Sequence, residues 1–165
     1  MEFAKPQNEH QWLQRLVGEW SFEGECLMGP DQPPMKNGGS ASVRSLGGLW
    51  ILCEGEGDAP DGSLVKSIIT LGYDPAKQRF VGTFIASMMT HLWRYDGALD
   101  AGGRVLTLDT EGPSFAGDGK MVKYQDIVEL ANDDHWVLKS RMLGENGNWH
   151  EFMTAHYRRK QRQAA

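Results

Sequence analysis

Cysteine is scarce in this sequence. Only Cys26 and Cys53 occur in 165 residues, too few for a disulfide framework and without the paired spacing of a thiolate metal site. Two reduced thiols in a cytoplasmic protein are therefore expected. Positive charge is not in excess either: 17 Lys+Arg against 22 Asp+Glu leave a formal net charge of −5. A nucleic-acid binder would carry a basic face, so that class is excluded. Apolar runs never exceed a few residues, which leaves nothing to span a membrane as a helix. Met1 to Leu16 is polar and lacks the apolar centre of a secretory leader. There is no G-x-S-x-G elbow and no G-x-G-x-x-G turn, which sets aside the usual serine hydrolases and dinucleotide binders. The five histidines, His10, His91, His135, His150 and His156, show no i, i+2 or i, i+4 pairs, so no metal site is expected from them. The acids Glu54, Glu56, Asp58 and Asp61 lack calcium-loop spacing and read as a solvated run.

What the sequence does have is punctuation. Its 20 glycines and 7 prolines cluster at intervals between short segments of alternating apolar and polar residues, the pattern of antiparallel strands. Near the start, Asn8 can cap a helix over residues 8–17, with Trp12, Leu13 and Leu16 on one face. From Gly18 the period changes to two. Trp20, Phe22, Cys26 and Met28 share one face of the first strand, with Glu19, Ser21, Glu23 and Glu25 on the other. Gly29 to Gly39 reads as a loop, and a strand resumes at Ser40. In all, ten strands are counted up to Arg159, followed by a frayed tail over residues 161–165. Ten hairpin-linked strands must hide their edges. The expected all-β fold is therefore one domain over residues 1–165, an antiparallel up-and-down barrel over 18–160 with one short N-terminal helix. A two-sheet sandwich is the competitor.

Gly18-Glu19-Trp20 after a short helix resembles the G-x-W opening of calycin barrels such as lipocalins and fatty-acid-binding proteins. That resemblance implies that Trp20 closes one barrel end and that a late arginine stacks on it, here Arg158 in Tyr157-Arg158-Arg159-Lys160. More broadly, Leu16 to Trp20, Gly47-Gly48, Leu71 to Phe84 (LGYDPAKQRFVGTF) and the terminal YRRK resemble the bacterial family of domain of unknown function 1579. Where that family often has an acid, this chain has Ala86-Ser87-Met88. The family brings no established activity with it.

The candidate site follows from the expected barrel. In Met88 to Tyr95, the residues Met89, His91, Trp93 and Tyr95 fall on one face. With Phe22, Phe84, Tyr124 and Asp126 they make a soft aromatic lining with few polar groups, suited to a small hydrophobic molecule bound without a cofactor. The plain alternative is packed core with a hydrogen-bonded histidine. Other readings stay open. His91 with Asp126 or Glu151 would make an acid–base pair in an enzyme. His156, on the last strand, would hold haem as in the related nitrobindins. Surface Trp50, Trp136 or Trp149, or an open strand edge, would support a homodimer. Faces are ambiguous in Leu49 to Cys53 and in Ile68 to Leu71.

Overall fold

Alternation drives the architecture, and the computed structural model, which describes residues 1–161, follows it closely. One helix, α1 (Asn8–Gln14), precedes ten strands: β1 (Gly18–Cys26), β2 (Met35–Leu46), β3 (Trp50–Asp58), β4 (Leu64–Asp74), β5 (Arg79–Ala86), β6 (Trp93–Leu99), β7 (Val105–Pro113), β8 (Met121–Asn132), β9 (His135–Leu143) and β10 (Trp149–Arg159). Each strand is antiparallel to its chain neighbour, and β1 pairs with β10, closing the barrel. The sandwich is thereby ruled out, and among the described residues no strand is left with a free edge. Of the tail expected over 161–165, Gln161 carries no secondary structure and residues 162–165 lie outside the described residues.

Several boundaries differ from the sequence reading, and the helix expected over residues 8–17 ends at Gln14. Helix α1 is capped from Gln7, whose backbone N–H donates to Nδ1 of His10 at 2.9 Å. The other ring nitrogen of His10 meets the Tyr73 carbonyl at 3.0 Å, which ties the helix to β4. Strand β2 starts at Met35, inside the expected loop, and pairs Met35 to Gly39 with β1. Gly39 serves the sheet here rather than a turn: a Cβ there would lie 1.9 Å from the Glu56 carbonyl, so only glycine permits this close approach.

The interior divides into two halves. At the helix end, Trp12, Leu13 and Leu16 plug the barrel against Trp20, Phe80, Leu106, Leu130 and Trp136, all buried. The ambiguous segments resolve with Ile51, Cys53 and Leu71 buried and Ile69 partly buried against the same core. At the other end the inward positions shrink to Gly24, Gly39, Gly55, Gly57, Ser67 and Ala86, set among Phe22, Phe84 and Met153.

Closure at the helix end corrects one expectation. The guanidinium over the Trp20 ring, 4.3 Å from its centre, belongs to Arg159, not Arg158. Tyr157 stacks on Trp136 at 3.8 Å with planes 8° apart and is thereby held inward. With a period of two, Arg159 then faces the plug and Arg158 faces solvent.

Near the mouth, the Trp93 ring lies directly on Gly112, where a Cβ would come within 2.1 Å of it. Gly112→Ala is expected to destabilise the fold by about 1–3 kcal/mol through overpacking. Chemical denaturation of the two proteins would read this difference.

The candidate site at the barrel mouth

Strands β6 and β7 share the shortest ladder of the wall. Their pairing runs from Leu99↔Leu106 to Asp96↔Asp109 and stops there. Beyond it, side chains replace the ladder. His91 Nε2 meets the Glu111 carbonyl at 2.9 Å, and Trp93 Nε1 donates to Met89 Sδ at 3.0 Å. His91 and Met89 therefore lie in the segment before β6, at the rim, while Trp93 and Tyr95 point inward and are buried. Outside the seam is an open depression of about 950 Å³, bordered by His91, Arg94, Thr110, Tyr124 and Trp149. The Thr110 hydroxyl, on the inward parity of β7 opposite Tyr124, is buried without a hydrogen-bond partner.

Deeper in the barrel, register brings together groups far apart in sequence. Leu108, Asp126 and Ser140 are cross-strand neighbours on β7, β8 and β9. Ser140 Oγ donates to one oxygen of Asp126 at 2.5 Å, and the Tyr95 hydroxyl donates to the other. Burial raises the Asp126 carboxyl above the usual carboxylate range, although both donated hydrogen bonds favour the charged form. Burial and the neighbouring Asp126 push the Tyr95 phenol well up. Tyr157 is raised by burial, with Cys53 and Asp126 adding to it. Burial, helped by Glu54, pushes the Cys53 thiol up to about 12. At neutral pH these phenols and this thiol are uncharged, so none is an activated nucleophile.

The centre of the barrel is not the hollow that the sequence suggested. Between Cys53, Ile69, Tyr95, Asp126, Trp136 and Leu138 the enclosed space is about 20 Å³, room for about one water molecule. Side chains fill the rest. Toward the mouth, in contrast, Phe22, Ile69, Phe84 and Met153 keep part of their surface accessible, and so does Asp126 despite its depth.

Several expected partnerships are absent. His91 does not meet Asp126: its Nε2 is engaged by Glu111, and both Asp126 oxygens are taken by hydroxyls. Glu151 instead accepts from Thr154 Oγ1 at 2.7 Å. His156 faces outward and is exposed, because Met153, Ala155 and Tyr157 take the interior side of β10. The side chain expected to hold haem thus points away from the barrel interior. Among the tryptophans expected at the surface, Trp136 is 3% exposed and belongs to the core. Trp149 is half-buried beneath Arg141, whose guanidinium carbon lies 5.1 Å from the ring centre, and Trp50 is exposed at the helix end. The acidic run is paired in part, Glu54 with Arg44 at 2.6 Å and Glu56 with Lys66 at 3.2 Å. Tyr124 donates to the Pro113 carbonyl at 2.6 Å and packs edge-on against Trp93. The reading from sequence missed Ser140 and Tyr157, whose roles appear only through register.

The family model described as "Protein of unknown function (DUF1579)" matches residues 5–159. The chain belongs to this family. No curated protein matches it. Among solved structures, this DUF1579 barrel resembles Rv2717c from M. tuberculosis, at 13% identity and a TM-score of 0.63 over 95% of this chain and 100% of that one. It also resembles the S-type phycobiliprotein lyase CPES from Guillardia theta, at 13% identity and a TM-score of 0.61 over 96% and 100%. A third is a de novo designed fluorescence-activating β-barrel, at 12% identity and a TM-score of 0.50 over 90% and 96%. At such identities the likeness extends to the fold alone. Among the described residues of the DUF1579 chain, no helix is long and apolar enough to cross a membrane, and no three His, Cys, Asp or Glu side chains converge as a metal site.

Proposed function

We propose that this barrel binds a small, mostly apolar molecule in its mouth half. The observation that carries the reading is the change in inward residues along the barrel axis. The helix half is packed shut, whereas in the other half, where inward positions are small, Phe22, Phe84 and Met153 keep part of their surface accessible. Aromatic and thioether surfaces beside missing side chains suit an apolar guest, and burial at about 25 cal/mol per Å² supplies its affinity. Asp126, whose oxygens keep lone pairs beyond the two donated hydrogen bonds, is a hydrogen-bond acceptor at the floor. Such a floor favours a guest whose polar end donates, an alcohol or an amine. It disfavours a carboxylate, which has no proton to donate to that acceptor. The use of a similar fold by a phycobiliprotein lyase and by designed fluorescence-activating barrels is consistent with this reading.

Tryptophan fluorescence tests it, with Trp93 lining the mouth as reporter. Long-chain alcohols and amines are expected to quench saturably, and the matching fatty acids to bind about tenfold more weakly or worse. Ser67→Phe, which adds an aromatic ring on the inward face between Gly55 and Ala86, is expected to abolish the quenching, with the thermal transition of the variant read in parallel. Undiminished binding by that variant, or no saturable quenching by any of the three chemistries, would overturn the proposal.

A further inference from the structure

On the outer face of the barrel wall, two histidines distant in sequence meet. His135 opens β9 and His156 lies on β10, where the register pairs His135 with Arg158 and His156 with Val137. The two imidazoles are thus diagonal neighbours on that face. His135 Nε2 and His156 Nδ1 are 2.9 Å apart, with the ring planes 30° from parallel. On the other side, Glu23 of β1 stands directly across from His156 and is exposed.

We propose that His135 and His156 form a surface site for a divalent transition-metal ion of the copper or nickel type. The argument is one of bite. Two metal–imidazole bonds of about 2.0–2.1 Å meeting at a right angle hold their nitrogens about 2.9 Å apart, whereas a tetrahedral angle needs about 3.3–3.4 Å. The 2.9 Å separation is that of the N–H···N hydrogen bond in the free protein, and it is already close to the bite of adjacent corners of a square or octahedron, the geometry of Cu(II) and Ni(II) with nitrogen and oxygen ligands. One ring donates its proton to the other in the free protein. On metal binding that proton moves to the donor ring's remaining nitrogen, so both facing nitrogens offer lone pairs and no net proton is released. A turn about the soft χ2 torsion of each ring aims the lone pairs at a shared apex. Water completes the coordination, and the Glu23 carboxylate, directly across from His156 on β1 and about 4.5–5.5 Å away between Cβ atoms, is an anion able to join it.

The experiment uses the full chain without an added histidine tag. Titration with Cu(II), followed by electron paramagnetic resonance, is expected to give one tight equivalent with hyperfine splitting from two imidazole nitrogens. His135→Asn and His156→Asn, both at half-exposed or exposed positions, should each weaken binding about tenfold or more. The control His150→Asn should leave it unchanged. Glu23→Gln should weaken it less than either histidine variant. The proposal is overturned by wild-type affinity in the His135 and His156 variants, by a signal from a single nitrogen, or by loss of the tight equivalent in His150→Asn.

Discussion

Replacing Trp20 by alanine is expected to cost the barrel about 3–5 kcal/mol, the usual range for a buried tryptophan. The side chain has 0% exposure and donates from Nε1 to the Leu16 carbonyl at 2.8 Å, so it links β1 to the end of the helical plug. It packs edge-on against Trp136, with ring centres 6.0 Å apart. Above it, Arg159 does more than stack. Its guanidinium donates to the carbonyls of Val17 at 2.9 Å, Arg15 at 3.2 Å and Asp133 at 2.8 Å, closing the seam between the first and last strands. A domain of this size loses about 2–4 °C of Tm per kcal/mol, so Trp20→Ala should melt about 6–20 °C lower in a thermal scan. Arg159→Ala should cost less than Trp20→Ala but clearly more than Arg158→Ala, which sits on the exposed face and should change stability by no more than about 0.5 kcal/mol. Equal losses from the two arginine variants would mean that the stack contributes nothing specific.

That pair of arginines also illustrates what could be read from the sequence and what could not. Alternation identified β1 and the barrel class, because Trp20 and Phe22 oppose Glu19, Ser21 and Glu23 without interruption. At Tyr157-Arg158-Arg159 alternation has two candidates, and only the Trp136–Tyr157 stack decides which arginine faces in. The Gly38-Gly39 pair reads as a turn by composition, yet it extends β2 because the Glu56 carbonyl needs the space of a missing Cβ. Bulges hide parity altogether. The register slips between Leu130 and Asn132 and again between Glu151 and Met153, so counting by twos along β8 and β10 fails across those points. The Asp126–Ser140 contact and the His135–His156 contact each cross the β8–β9 or β9–β10 pairing. No local pattern marks them. His91 was legible as an unusual residue, but its partner is a backbone carbonyl, and carbonyls carry no sequence signal.

Asp126 gives the other large effect. Asp126→Ala leaves the Tyr95 and Ser140 hydroxyls without their acceptor in the barrel interior, at a cost of about 1–3 kcal/mol for each stranded group. Asp126→Asn keeps an acceptor oxygen and removes the charge, which isolates the titration. Burial raises the folded-state pKa of Asp126 above its unfolded value of about 3.9. A raised carboxyl binds its proton more tightly in the native state, so the stability linked to it is complete below that unfolded pKa and is lost as pH rises through the folded value. The difference in unfolding free energy between Asp126→Asn and the parent protein is therefore expected to shift toward the variant as pH increases from about 4, then to level off above the folded pKa. Urea denaturation of both proteins across that range measures it. A gap that stays constant with pH would mean that the two donated hydrogen bonds fully offset burial. A gap moving toward the parent protein as pH rises would mean that they outweigh it, leaving an ionised carboxylate to face any guest at the barrel floor.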